Sequence, residues 1–240
     1  MTTSYTVTRD QVISSALRKL AVLELGATPD TDTINNAAVA LNLMIKMWAV
    51  DGLKLWTINE LVLPLVASQT SYVIGPGGDL VTDKPLKLIQ AWLRNTTVTP
   101  NIDTPMQILS KQEYNILGSK ASTGTANSVF LDPRVTTSIL YAYLTPEAYT
   151  ASTYQMHLVV QRMMSDLNNS TDIPDFPTEW MQALVWGLAD QLAIEYSVPG
   201  NHRVEIAQRA TAYKEQMASW DVESTSTFFT PDMRFGVHRR

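Results

Sequence analysis

The chain has 240 residues, 45% hydrophobic and only 17% charged, with 18 Lys and Arg against 23 Asp and Glu for a formal charge of −5. That length buries a core in one large domain or two small ones, and the absence of cysteine excludes disulfides, thiolate metal sites and a cysteine nucleophile. No basic run supplies the clustered Lys and Arg that tight DNA binding needs, and no apolar stretch approaches the roughly 18 residues of a membrane helix.

The opening MTTSYTVTRD lacks a basic region followed by an apolar run, so no secretory leader is expected. Thr8 is placed to cap a first helix over 9–23, with Gln11 reaching back as its capping-box partner. Val12, Ile13, Ala16, Leu17 and Leu20 share one face, and Gly26 and Pro29 break the pattern. A second helix is predicted over 33–50, capped by Asp32, with Ile34, Ala38, Leu41, Ile45 and Trp48 on one stripe. Asp51-Gly52 stops it, the glycine supplying the left-handed position.

From Leu53 the period changes. Stretches 56–65, 71–74, 86–94 and 135–144 carry β-branched and aromatic residues between Gly and Pro, and read as strands. Gly75-Pro76-Gly77-Gly78-Asp79 reads as a hairpin turn. A short helix is expected over 110–117, where Glu113 follows Ser110 by three, and a Gly, Ser and Thr-rich mobile loop over 118–128. Periodicity leaves 154–166 open between strand and helix, with Val159-Val160 favouring strand.

Helix returns over 178–196, after Pro177 and before Pro199-Gly200. Trp180, Leu184, Leu188 and Leu192 form its apolar face, and Ala183, Trp186 and Ala189 widen it, so it is expected to be central and buried. A fourth helix over 202–220 packs through Ile206, Ala210, Tyr213, Met217 and Trp220. The fold class is α+β and mainly helical: a bundle of N- and C-terminal helix pairs (8–52 plus 176–221) with an inserted β-rich domain (53–175). Trp48, Trp180, Leu184, Trp186, Leu188 and Trp220 are its expected helical core.

Residues 222–240, VESTSTFFTPDMRFGVHRR, form an extended arm. Phe228, Phe229, Pro231, Met233, Phe235 and Val237 follow no helical period and cannot bury one another, so they are expected to dock elsewhere, assisted by Arg234, Arg239 and Arg240.

No constellation carries chemistry. His157, His202 and His238 are far apart and fit no zinc-binding pattern. Asp30-Thr31-Asp32 lacks the further oxygens and closing Glu of a calcium loop, while Asp166, Asp172 and Asp175 sit where loops and helix starts favour carboxylates. The glycine-rich turn lacks the Lys and following helix of a phosphate cradle. Glu179 and Glu195 are separated too widely along one helix to act on one bond. No metal, cofactor or catalytic residue is expected, and the chain is not read as an enzyme.

The run Phe176-Pro177-x-x-Trp180-x-x-Ala183-Leu184, continuing through Leu188-Ala189 to Leu192-Ala193, resembles the C-terminal helical hairpin of tailed-phage head-to-tail adaptors, also called head-completion, connector or tail tubular proteins. The opening pair, ending Met47-Trp48-Ala49-Val50-Asp51-Gly52-Leu53, is similar to their N-terminal part. This resemblance implies a homo-oligomeric ring of about twelve copies under closed symmetry. It implies docking to the portal protein above and a tail or nozzle protein below, in the neck of a virion assembled in the host cytoplasm. Double-stranded DNA passes non-specifically through the lumen, the C-terminal arm reaches the portal or a neighbour, and no membrane is involved. The long β insertion departs from the smallest members. The alternative is a tail-associated receptor or ligand-binding module using Tyr114, Phe130 and Tyr149 as exposed loop aromatics.

Overall fold

Thr8 Oγ1 accepts the amide of Gln11, and the Thr8 amide donates to Gln11 Oε1, so the capping box that opens α1 (Arg9–Lys19) is complete. The computed structural model describes residues 5–50 and 55–221. α1 is shorter than its apolar pattern predicts. Ala21 takes a positive φ of 58°, and the amides of Ala21 and Val22 close on the carbonyls of Arg18 and Leu17. That is a Schellman closure with alanine where glycine is usual, which hid the stop from a reading keyed to Gly26.

α2 (Thr31–Val50) begins two residues before its predicted start. Its cap is Asp30 and not Asp32: Asp30 Oδ1 accepts the Thr33 amide at 2.7 Å, and Oδ2 accepts the Thr33 hydroxyl. These bonds hold the Asp30 carboxyl below its ordinary range. Asp51 and Gly52, the expected stop, lie outside the described residues.

After a 3-10 turn (Leu55–Thr57) come β1 (Ile58–Pro64), β2 (Ser71–Ile74), β3 (Pro85–Asn95), β4 (Ile102–Pro105), β5 (Gln107–Ile108) and α3 (Lys111–Ile116). Then follow β6 (Thr123–Gly124), β7 (Ser128–Pro133), β8 (Ser138–Tyr143), β9 (Thr145–Pro146), α4 (Ala148–Thr153) and β10 (Tyr154–Arg162). α3 carries the predicted Ser110–Glu113 capping box. The stretch from 154 is a strand through Arg162. It is the inner partner of both β1 and β3 in an antiparallel sheet of order β1-β10-β3-β4.

A second sheet, β2-β8-β7-β5, is antiparallel except at β5–β7. Leu63, Leu88, Leu93, Met156 and Leu158 of the first sheet share one core with Tyr72, Ile74, Val129 and Leu140 of the second, giving a sandwich. The predicted loop over 118–128 holds the short strand β6, paired in parallel with β9. Gly75–Asp79 is a turn but not a hairpin between paired strands. The chain folds back so that the Gly75 amide donates to the Leu80 carbonyl and the Leu80 amide to the Val73 carbonyl, while β2 pairs with β8.

α5 (Met181–Leu192), preceded by a 3-10 turn (Thr178–Trp180), and α6 (Gly200–Trp220) complete the chain. α5 stops four residues earlier than predicted. Ser197 adopts φ 50°, and the Ser197 and Val198 amides close on Ile194 and Ala193, repeating the α1 device without glycine. Nine of the twelve α5 residues are buried, and α1, α2 and α6 all pack on it. The two ends of the chain thus share one helical core, which also takes in Met164 and Leu167 from the segment after β10.

Gly187 brings the α5 backbone against α2: a Cβ there would lie 2.8 Å from Trp48 Cζ2 and 3.0 Å from Met44 Sδ. Gly187→Ala gains about 1 kcal/mol of helix propensity but overpacks a buried ring, which costs about 1–3 kcal/mol. The net expectation is a lower urea midpoint; a midpoint equal to or above the parent's would show that Trp48 yields without strain.

Candidate assembly interfaces

α2 has two apolar faces. One, with Leu41, Met44, Ile45 and Trp48, is buried against the bundle. The other carries Val39, Leu43, Met47 and Val50, 61%, 66%, 55% and 79% exposed. The spacings of four, four and three keep these side chains on one stripe. Between Thr33 and Val50 the single charge is Lys46, which is taken by Asp166 at 2.7 Å and the Met164 carbonyl at 2.8 Å. A solvated face normally alternates apolar with charged groups; this one presents apolar side chains alone.

α6 is exposed in a different way. Of its 21 residues only Ile206 and Ala210 are buried, with Tyr213 and Met217 partly covered. Trp220, expected in the helical core, is 69% exposed. The physical reason is length: 21 residues span about 31 Å and twelve about 18 Å, so the last turn of α6 outruns α5. The other expected core residues, Trp48, Trp180, Leu184, Trp186 and Leu188, are all buried. Trp186 lies near the surface, stacked on Tyr213 with Lys19 and Arg209 over its ring.

Between the two helices runs a groove of about 450 Å³. Met44, Met47 and Trp48 form one wall; Ala210, Thr211, Lys214, Glu215 and Ala218 form the other; Gly187, Asp190 and Gln191 of α5 form its floor. The Lys214 ammonium lies over the Trp48 ring at 5.6 Å. The groove therefore offers an apolar wall opposite small side chains, with acids at Asp190 and Glu215. Phe228, Phe229, Pro231, Met233, Arg234, Phe235, Val237, Arg239 and Arg240, the expected docking arm, lie outside the described residues.

His157, His202, Asp172 and Asp175, considered for chemistry, have structural partners. His157 is 4% exposed on β10, with Nδ1 at 2.6 Å from Glu60 Oε1 and its ring stacked on Trp92. His202 Nε2 meets the Lys19 carbonyl at 2.9 Å, tying the start of α6 to the end of α1. Asp172 accepts the amides of Asn168 and Asn169, which keep its carboxyl below the ordinary range. Asp175 forms a bidentate pair with Arg162 that raises the guanidinium's proton affinity. Glu179 and Glu195 are exposed near opposite ends of α5. Among the described residues no three His, Cys, Asp or Glu converge to hold a metal, and no helix is long and apolar enough to cross a membrane.

The aromatics proposed for ligand recognition do not form an exposed set. Phe130 is 7% exposed on β7, and Tyr114 stacks on it at 5.2 Å and packs against Tyr141. Only Tyr149 is exposed. Sequence reading missed Asn42, whose side chain grips both the amide and the carbonyl of Leu167. It also missed the second apolar stripe of α2. The stripe was detectable as apolar residues at spacings of four, four and three on the side of α2 opposite the core-facing set.

A helical bundle carrying a β-sandwich, with an uncharged α2 stripe left open and no catalytic constellation among the described residues, has the make-up of a structural interaction protein. The chain belongs to the SU10 adaptor protein family, whose model matches residues 7–228. It is a head-to-tail adaptor of a tailed-phage virion and not an enzyme, located at the head–tail junction, where it meets capsid portal and tail components on the path of the DNA. The receptor or ligand-binding reading finds no support. No curated protein matches the chain significantly in sequence.

One polar contact of the glycine-rich turn is open to test. Asp79 accepts the Val73 amide at 2.7 Å and a Gln69 donor at 3.1 Å, and the first of these chiefly lowers its pKa below 3.8. A depressed folded pKa gives stability that is full above the unfolded value and lost as pH falls through the folded one. Asp79→Ala is expected to melt below the parent at pH 7, with the difference closing as pH drops beneath 3.8. A gap independent of pH would remove the carboxylate from the account.

Proposed function

We propose that this adaptor works as a closed ring of about twelve copies, the size the family resemblance suggests, in which the open faces of α2 and α6 are subunit contacts. The observation that carries this reading is the α2 stripe, Val39, Leu43, Met47 and Val50, exposed without a charge among them. Interface centres are depleted of charge, and a solvated helix face is not built this way. The low content of charged residues over the whole chain supports it. The helical unit, 8–52 with 176–221, forms the ring body, and the sandwich of 53–175 presents the outer surface to a tail or nozzle protein. DNA passes through the lumen without base-specific contacts; the net charge of −5 per copy disfavours adhesion to phosphate. Assembly takes place in the host cytoplasm.

The arm over 222–240 is the second contact element. Phe228, Phe229 and Phe235 are its anchors onto the portal or a neighbouring copy, since buried aromatics dominate interface energies.

Two experiments address this reading. Leu43→Glu and Met47→Glu place a charge in the stripe, where it has water in the monomer and none in a ring. Mass photometry is expected to show loss of the large species while thermal unfolding shifts little; rings of undiminished abundance would clear α2 of any contact role. Removing 222–240 is expected to leave unfolding almost unchanged and to weaken portal binding by about tenfold or more. Affinity of the full chain should fall less than about fivefold between 0.1 and 0.5 M salt, because aromatic anchors respond weakly to screening. Equal portal affinity with and without the arm would overturn its assignment.

A further inference from the structure

The groove between α2 and α6 has no occupant among the described residues, and its chemistry specifies one. A site of about 450 Å³ falls within the range that encloses a ligand-sized group. Met47, 55% exposed, offers a polarisable apolar surface suited to aromatic rings, above the almost fully buried Met44 and Trp48 at the base of the wall. The facing wall, Ala210, Thr211 and Ala218, is small enough to admit them, and the acids Asp190 and Glu215 outnumber the one base, Lys214, among the lining residues. The matching occupant is an aromatic segment with arginines close behind it.

The chain contains one such segment. Residues 222–240 hold Phe228 and Phe229 side by side, then Met233, Arg234 and Phe235, and end in His238-Arg239-Arg240. They begin immediately after Asp221, three residues beyond the groove-lining Ala218, so every copy in an assembly delivers an arm from the mouth of a groove. The course of the arm decides which groove it enters. From Val222 to Thr230 there is no Gly, Pro, Asn or Asp to reverse the chain, and Ser, Thr and Phe favour extended backbone. Seven residues, if extended, reach about 23 Å from Asp221, far enough to meet a neighbouring copy.

We propose that the α2–α6 groove receives the arm of a neighbouring copy, with Phe228 and Phe229 against Met44, Met47 and Trp48 and the arginines toward Asp190 and Glu215. This rests on the ring reading above and names the surface that links one subunit to the next. Each link is modest, and closure of the ring multiplies it by raising the effective concentration of every arm at its groove.

The natural absence of cysteine allows a direct test on the full chain. Thr211→Cys places a thiol on the groove wall, and Thr230→Cys places one beside Phe229 without removing an anchor. The two single variants, mixed and oxidised, are expected to give a disulfide-linked dimer on a non-reducing gel. The double variant is expected to give a ladder extending to the full ring. Adding Phe228→Ala and Phe229→Ala should cut the linked product at least about tenfold without lowering the melting temperature. A ring in mass photometry with intrachain links only, or with no links, overturns this inference and leaves the ring reading standing. A species that is monomeric with its portal at micromolar concentration sinks the ring reading itself.

Discussion

Four aromatic rings hold the two halves of this molecule together. Trp48 from α2, Trp56 from the turn before β1, and Phe176 and Trp180 from the approach to α5 meet with centroids 5.1 to 6.3 Å apart. These four come from the places where the chain enters and leaves the β part. Aromatic pairs in edge and tilted geometry contribute about 0.5–1.5 kcal/mol each beyond the area they bury. Polar contacts lock the same junction: Trp56 Nε1 donates to the Asp175 carbonyl, Arg162 at the end of β10 pairs with Asp175, and Gln161 donates to the Ala49 carbonyl. The first and last strands of the sandwich, paired through seven residues, are therefore fastened to the helices at one point.

That junction fixes what remains free. α5 occupies the centre and is covered by three helices, so each of them spends one face on it. α1 is short and also engages the strap after β10, through Arg9 to the Asn168 carbonyl. α2 and α6 are nearly twice as long as α5, and their outer faces meet no packing partner among the described residues. In an adaptor this is the expected economy: the fold is completed by one helix, and the surplus helical surface is available to other chains. The α2 stripe itself carries no charged pair, and most of the pairs lie off the two long helices, the Glu205–Arg209 pair of α6 apart. Arg94–Asp103 and Lys111–Asp132 lie on the β part, and Lys46–Asp166 on the strap.

The sequence made the α+β plan, the bundle built from both chain ends and the buried character of α5 legible, because a helical period, capping boxes and near-continuous apolar residues are local signals. Trp180, Leu184 and Leu188 could be placed in the core from spacing alone. Helix ends were less legible: Ala21 and Ser197 adopt the left-handed conformation that glycine usually marks, and closure depends on hydrogen bonds that composition does not encode. β4, β5, β6, β9 and α4 escaped notice because such short elements carry too few residues for a period, and the inner strand β7 was missed with them. The largest failure concerned Trp220 and the outer stripe of α2. Apolar periodicity reports that a face avoids water in the working state, and it does not say whether the partner belongs to the same chain.

α6 shows how a helix survives with so little burial. It contains Ala207, Ala210, Ala212 and Ala218, the residue type with the highest helix propensity. Glu205 and Arg209 form an i,i+4 pair at 2.7 Å in the favourable order, acid before base. His202 anchors its first turn to α1, and Lys214 over Trp48 and the Asp221 contact to the Leu55 amide hold the other end. At 21 residues it exceeds the length of about 12–15 at which helices in water are marginal. Local propensity thus replaces the tertiary packing that normally stabilises a helix. A helix held by its own sequence and by its two ends can keep a long side face open, already ordered, for an incoming chain. Pre-ordering of this kind removes the cost of ordering the helix on association, which is what modest contacts repeated around a ring require.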